Sequence, residues 1–339
     1  MAMAVKYIFL GVGIGLGILF LRYFVQIVNN SLSLPDALQA LIGQNHTSSR
    51  GSITKQILVE GYEIIWNQEY SEQEISKNVV CILIEDVSIK GARQVLSFVA
   101  MIDKMIQDNF ESSVIFFHQR YPLKSIISNI RGSTARNVYF VNIDSYFQRL
   151  PREGAEIYDL YNHDPNWSRR DKWSYHNMIR FWFRDIFQLL PAGVENFLRL
   201  DTDSKITKIS GNLFEHMQGR KYMANDVMVE WGPVAEGFEI FVKEFVSENF
   251  IKPRNSALWN DAFSNAESKL FYNNFEIGSV PFFRSAAVLN FTVAVMRSNG
   301  IYRYRWGDAL LRYATIAIFA SSSDLIQRSQ VGIEYCHPC

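Results

Sequence analysis

Cysteine is scarce. Cys81, Cys336 and Cys339 are the only three in 339 residues. So few thiols, one of them inside an apolar run, exclude a fold held together by a disulfide framework. An excess of one charge is missing too. Lys and Arg total 34, and Asp and Glu total 34. No net field draws the chain to nucleic acid, and no nucleic-acid partner is expected. No Gly-x-x-x-x-Gly-Lys loop occurs, which argues against a phosphotransferase built on nucleoside triphosphates. Repeats and low-complexity tracts are absent, so the length corresponds to one large domain or two small ones. Cys336-His337-Pro338-Cys339 resembles half a zinc site. No second Cys/His pair accompanies it, which leaves zinc unsupported.

What the chain does have is a long apolar run near its start. Tyr7 to Leu21 is uninterrupted, and Tyr23 to Val28 extends it past Arg22. Together they approach the ~20 residues that cross a bilayer. The segment reads as a transmembrane signal anchor, because no small-x-small cleavage site follows it. Gly11, Gly13, Gly15 and Gly17 lie inside the run and open no strand-helix unit. They give small-xxx-small spacing instead of a dinucleotide loop. A short tail carrying Lys6 before the span fits a single-pass type II membrane protein. Residues 1–28 are thus the tail and anchor, 29–77 a polar, turn-rich stem, and 78–339 one globular domain. Asn-x-Ser/Thr sequons stand at Asn29, Asn45, Asn166 and Asn290; Asn45 and Asn166 suit a lumenal location best.

From residue 78 the pattern is α/β. Val79–Ile84, Val114–Phe117, Asn137–Asn142 and Phe197–Leu200 read as strands. Helical spacing of Val95, Phe98, Val99, Ile102 and Ile106 follows the first, and Leu123–Ile130 follows the second. Such alternation implies parallel pairing with right-handed crossovers. Tyr175–Leu190 is an aromatic helix whose stripe Phe181, Trp182, Phe183 and Phe187 suits a core. Beyond residue 210 the expected elements are a helix at 212–217, an extended stretch at 221–229 and a helix at 234–249.

The fourth strand ends in Asp201-Thr202-Asp203. Side chains at i and i+2 of extended backbone point the same way. Both carboxylates can therefore face one hard cation, which prefers oxygen ligands. Ligands of open α/β sheets bind beyond the carboxyl ends of the strands, where these aspartates lie. Enzymes acting on nucleotide-diphosphate sugars use such a cation to neutralise the pyrophosphate leaving group.

Several stretches, in order, resemble the fungal Golgi α-1,2-mannosyltransferase family, glycosyltransferase family 15. Tyr175-His-Asn-Met178-Ile-Arg180-Phe181 is similar to its Tyr-x-x-Met-x-Arg-Phe helix. Arg199-Leu-Asp201-Thr-Asp203 resembles its Arg-Val-Glu-Pro-Asp segment, with Asp201 in place of the glutamate. Asn274-Phe-Glu276-Ile-Gly278, Phe283-Arg284 and Arg305-Trp306-Gly307-Asp308-Ala309 look like three further elements. The resemblance covers roughly residues 78–339. It implies a GT-A-like, Rossmann-type mixed sheet flanked by helices. It also implies GDP-mannose as donor, a glycan or glycoprotein acceptor, Mn2+, transfer with retention, and a Golgi or endomembrane location. The implied metal shell is Asp201, Asp203 and His337. Tyr175, Arg180, Asp201 and Trp306 are the implied donor-binding residues, with Arg180 offering its fork of donors to phosphate oxygens.

Two carboxylates are the catalytic candidates. Glu276 beside the anomeric carbon would act as nucleophile or stabilise an oxocarbenium-like centre. Asp308 would bind acceptor hydroxyls or take the acceptor proton, with Trp306 stacked on a sugar. Structural roles compete: a glutamate accepting backbone hydrogen bonds, and an Arg305–Asp308 pair organising a turn. The family's tail is longer than the segment from Val331 to Cys339. That shortening motivates an alternative, a degenerate glycosyltransferase fold that binds a glycan or a partner without turnover.

Overall fold

A computed structural model describes residues 55–59, 62–66, 75–84, 89–119, 124–148, 173–264 and 267–338. The apolar run at 7–28, most of the stem, and the sequons at Asn29, Asn45 and Asn166 lie outside the described residues. Among those described, no helix is long and apolar enough to cross a membrane. The chain divides into a small unit, residues 1–47 and 57–60, and a large unit of the remainder. Of the small unit only residues 57–59, in strand β1 (Lys55–Val59), are described. The large unit carries the candidate site residues.

Its elements, in chain order, are β2 (Tyr62–Trp66), β3 (Asn78–Ile84), α1 (Ile89–Met105), β4 (Ser113–His118), α2 (Lys124–Gly132), β5 (Val138–Asn142) and α3 (Asp144–Gln148). Then come α4 (Trp173–Arg180), β6 (Asn196–Leu200), β7 (Lys205–Lys208), β8 (Tyr222–Ala224), β9 (Val227–Val229), α5 (Phe238–Glu248) and α6 (Ser256–Asp261). The rest are β10 (Lys269–Phe271), β11 (Phe275–Ser279), α7 (Val280–Phe283), α8 (Ala286–Ser298), α9 (Gly300–Tyr304), α10 (Asp308–Phe319), β12 (Leu325–Gln327) and β13 (Glu334–Cys336). All four strands expected from the apolar runs are present within a residue or so of their expected bounds. The extended stretch at 221–229 is two short strands, β8 and β9, rather than one.

Among the described residues of the large unit, eight strands follow one another in a mixed sheet in the order β2-β5-β4-β3-β6-β11-β8-β12. β5, β4, β3 and β6 run parallel, as the alternation of strands and helices requires. β11 is antiparallel to both of its neighbours, β6 and β8. One face carries the alternating side chains Val80, Ile82, Phe116, Phe140, Leu198, Leu200 and Ile277. It buries them against Val95, Val99 and Ile102 of α1, Ile106 just after it, and Ile130 of α2. The opposite face presents Phe117, Phe197, Arg199, Glu276 and Gly278 to the helices. Phe117 meets Phe181 edge-on at 5.0 Å, and Phe197 meets Phe187 at 5.3 Å.

The helix begun by α4 does not stay regular. A π-helical turn, Phe181–Asp185, precedes a closing α-turn, Ile186–Leu189. The wider turn brings residues five apart onto one line, so buried Arg180 reaches Asp185, with Nε 2.9 Å from Oδ2.

Gly278 is glycine for a packing reason. A Cβ there would lie 2.5 Å from the Phe197 ring and 2.6 Å from the Phe283 ring. Gly278→Ala is expected to destabilise the fold by about 1–3 kcal/mol, the usual cost of overpacking a core. Urea unfolding followed by tryptophan fluorescence would measure it; an unchanged midpoint would show that the two rings yield freely.

Asn290 sits on α8 with Phe291 and Thr292 buried, and the Thr292 hydroxyl donates to Val288 O at 2.9 Å. That sequon is therefore helical, with its hydroxyl occupied, and is no surface-loop acceptor in the folded state.

Candidate active site

Strand order reverses around β3. β4 and β5 continue on one side and β6 on the other. The carboxyl ends of β3 and β6 thus meet at a topological switch point, where sheets of this kind bind ligands. Asp201, Thr202 and Asp203 follow β6 directly. The Ser204 N–H donates to Asp201 O at 2.9 Å, closing a turn that turns Asp203 outward.

His337 reaches Asp203 by tertiary pairing. β13 runs antiparallel to β7, with Cys336 opposite Lys205. The residue after Cys336 therefore falls beside the residues that precede Lys205. His337 Nε2 lies 2.8 Å from Asp203 Oδ1, and its Nδ1 lies 2.8 Å from the Tyr272 hydroxyl. Tyr272 orients the ring, as outer partners orient metal-binding histidines. Asp203 is half-exposed, with 55% of its side-chain surface open. Asp201 does not join them in one cluster: among the described residues no three His, Cys, Asp or Glu side chains converge on a metal-sized position. Its carboxylate instead accepts from Arg199 Nε at 3.1 Å. Burial raises the Asp201 pKa, against the pull of Arg199.

Asp203 and His337 offer one hard oxygen and one imidazole nitrogen, a donor set that suits Mn2+. Two protein ligands leave room for pyrophosphate oxygens, the usual arrangement when a cation is shared with a nucleotide. Cys336 is disulfide-bonded, so its sulfur cannot serve as a zinc ligand. Cys81 is a buried free thiol whose pKa is pushed well up by burial.

Behind the aspartates lies a buried charged floor. Arg199 and Glu276 are cross-strand partners on β6 and β11. Arg199 donates to Asp308 Oδ2, which also accepts from Asn273 Nδ2 at 2.9 Å. The Arg199 guanidinium lies 4.3 Å from the Trp182 ring centroid. Burial opposes its charge, but Asp201, Asp308 and Glu276 outweigh burial and raise its pKa. Glu276 has no solvent exposure. It accepts from the Tyr222 hydroxyl at 2.8 Å and Arg312 Nε at 2.9 Å. Burial raises its pKa despite Arg312 and Arg199. Arg312 also donates to Trp182 O at 2.8 Å and stacks on Phe283 at 4.3 Å.

The turn pairing expected of Arg305 and Asp308 is replaced by the longer-range Arg199–Asp308 pair. Arg305 takes a left-handed backbone, φ 69°, and its guanidinium lies 5.8 Å from the Tyr175 ring centroid. Tyr175 thereby meets the Arg305–Asp308 loop, though the two are far apart in sequence. Arg180 is buried in its pair with Asp185. Trp306 is buried, stacks on Tyr304 at 5.8 Å and donates to Glu236 O at 2.9 Å. Its ring lies against Gly300, where a Cβ would come within 2.0 Å. Both residues hold the loop and helix in place, and neither presents its functional end to solvent. Arg312, Tyr222 and Tyr272 were not legible as site residues. They sit in apolar runs, and only the fold shows which of them meet carboxylates or His337.

No family model matches the chain. Two solved structures share its fold. Core-mannan synthase A (CmsA/Ktr4) from Aspergillus fumigatus, in a Mn/GDP form, matches with a TM-score of 0.62 at 15% identity, covering 88% of this chain and 82% of that one. Ktr4p from Saccharomyces cerevisiae, in complex with GDP, matches with a TM-score of 0.63 at 18% identity, covering 91% and 82%. The large mixed sheet is therefore the GT-A-like sheet of these proteins. Curated relatives agree in sequence. The probable mannosyltransferase MNT3 of Candida albicans is 25% identical over 166 residues, 48% of this chain and 44% of its own length. The probable mannosyltransferase KTR3 of Saccharomyces cerevisiae is 28% identical over 172 residues, 48% and 42%. The O-glycoside alpha-1,2-mannosyltransferase omh1 of Schizosaccharomyces pombe is 24% identical over 220 residues, 57% and 54%. The chain spans about half the length of the curated relatives it matches. It is a homologue of the fungal mannosyltransferases.

Proposed function

We propose that the chain is a membrane-anchored glycosyltransferase that transfers α-mannose from GDP-mannose to a mannosylated glycan of a glycoprotein, with Mn2+ and with retention. The observation that carries this reading is the Asp203–His337 pair at the sheet's switch point, next to the Arg199–Asp308 pair. Asp203 and His337 would hold the cation, which when bound neutralises the departing diphosphate. Asp201, beside them, faces the nucleotide, and Tyr175 lines the same edge through Arg305. Asp308 is the carboxylate nearer the open face and serves the acceptor hydroxyl. Glu276 lies behind Arg199 and adds negative field where positive charge builds. Arg180 and Trp306 act by holding the helix and loop that carry these groups.

The test is a donor screen with Mn2+ on the full chain, reading transfer to α-mannosides and donor hydrolysis. Selective turnover of GDP-mannose supports the reading; turnover of a different sugar nucleotide would displace it. The sealed position of Glu276 favours a second reading, a fold that binds donor or glycan without turnover. Tight GDP-mannose binding with neither transfer nor hydrolysis would establish that one.

The anchor reading places residues 1–28 in the membrane of the Golgi or a neighbouring compartment, with the rest lumenal. Protease added to intact microsomes is then expected to leave nearly the whole chain uncut until detergent is supplied. Digestion without detergent would refute that orientation.

A further inference from the structure

A cleft of about 630 Å3 opens where β9 ends, lined by Val229, Glu230, Trp231, Glu239, Ile240 and Glu267, among others. One wall is the β9–β10 ribbon, held at its end by the Glu230 N–H donating to Ser268 O at 2.8 Å. The other wall is the first turn of α5. Trp231 is 50% exposed and Ile240 64% exposed. A tryptophan at an open surface offers a flat apolar platform, and Val229 and Ile240 extend it.

The charged lining is of one sign. Glu230, Glu239 and Glu267 line the cleft beside Ser268, and among the described residues no Lys, Arg or His does. Glu239 is paired with Lys243 at 2.5 Å and Glu267 with Lys269 at 3.1 Å. Glu230 Oε1 accepts from the Trp231 N–H at 2.9 Å. Ionised carboxylates only accept hydrogen bonds. The cleft thus disfavours phosphate and suits a ligand that donates hydroxyls beside an apolar ring face. A neutral pyranose has both features.

The cleft borders the loop that carries Asp308. A side chain at position 307 would begin 3.4 Å from Glu230 Oε2, which puts Glu230 against the residue that precedes Asp308. Trp306 ties the same loop to the cleft wall through Glu236 O. Burial raises the Glu230 pKa, with Arg305 acting against it and Asp308 with it. Glu230 therefore lies within electrostatic reach of both Arg305 and Asp308.

We infer that this cleft is a distal acceptor subsite, in which Trp231 stacks on a sugar ring of a neutral oligosaccharide and Glu230 accepts its hydroxyls. The inference rests on the transferase reading, and it distinguishes acceptors by length. The chain would favour an acceptor of two or more sugars over a single mannoside. Trp231 and Glu230 act as specificity-determining residues away from the reacting bond.

The full chain would be assayed with methyl α-mannoside and with α-linked mannotriose, as wild type, Trp231→Ala and Glu230→Gln. The ratio of kcat/KM for mannotriose over methyl α-mannoside is expected to fall about tenfold in Trp231→Ala, and less in Glu230→Gln. Phe250→Ser, at an exposed residue outside the cleft, should leave the ratio unchanged. Saturation-transfer NMR with mannotriose, without donor, reads binding alone. Wild type should saturate the trisaccharide, and Trp231→Ala should lose most of that signal. Absence of turnover with Trp231-dependent binding would sink the transferase reading and keep the subsite. An unchanged ratio or equal saturation in Trp231→Ala would overturn the subsite. Binding of oligolysine in place of mannotriose would assign the cleft to a basic peptide and overturn it equally.

Discussion

Glu276→Gln is expected to lower kcat by about 100-fold or more, the scale of losing one electrostatic stabiliser. GDP-mannose affinity should change far less, because under the proposed function the pyrophosphate would be held through the cation at Asp203 and His337, away from Glu276. The physical reason is the sign of the charge. Glutamine fills the same space and still accepts from Tyr222 and Arg312, but it supplies no negative field to an oxocarbenium-like centre. The burial of Glu276 adds a second consequence. Removing its charge leaves the guanidinium of Arg312 buried without a counter-charge, so the melting temperature should fall as well. A double variant, Glu276→Gln with Arg312→Met, separates the two effects. It removes both charges, and replacing a buried pair by apolar groups is often neutral for stability. Restored stability without restored turnover would support the electrostatic role. Restored turnover would make Glu276 purely structural and leave Asp308 as the working carboxylate.

Asp203→Asn should abolish detectable transfer while leaving the fold intact. Asp203 is half-exposed and its partner is His337, so the change disturbs no core packing. It removes the charge that holds a hard cation. Donor binding should lose its dependence on Mn2+, which calorimetry with and without the metal would read directly. His337→Ala should act in the same direction, since its ring nitrogen meets Asp203 at that edge. Near-normal activity of Asp203→Asn would show that the Asp203–His337 contact is a capped turn and not a metal position.

The elements nearest to local rules were legible from the sequence. Short apolar runs rich in Val, Ile and Phe became buried strands. The 3.6-residue spacing of Val95, Val99 and Ile102 became the core face of α1, with Ile106 buried just beyond its end. Asp201 and Asp203 lie just past a strand's carboxyl end because the apolar run of β6 stops at Leu200; the turn closed by Ser204 then separates them, so the shared direction expected from strand alternation does not hold. The antiparallel entry of β11 between β6 and β8 was not legible, since Phe275–Ser279 looks the same whichever strands it joins. Nor was the π-helical turn, which aligns the buried Arg180 and Asp185.

The sequence by itself thus determined the α/β class, the parallel core and the place of Asp201 and Asp203 just after a central strand, because backbone geometry and local apolar periodicity suffice for each. Only the tertiary structure decided which charges meet. β13 pairs with β7 across more than a hundred residues and so brings His337 to Asp203, while Asp201 turns to Arg199. Arg199 and Asp308, and Glu276 and Arg312, are likewise distant in the chain and adjacent in space. A buried ion pair is chosen by whichever opposite charge the packed elements leave within reach, and no local rule of sequence contains that information.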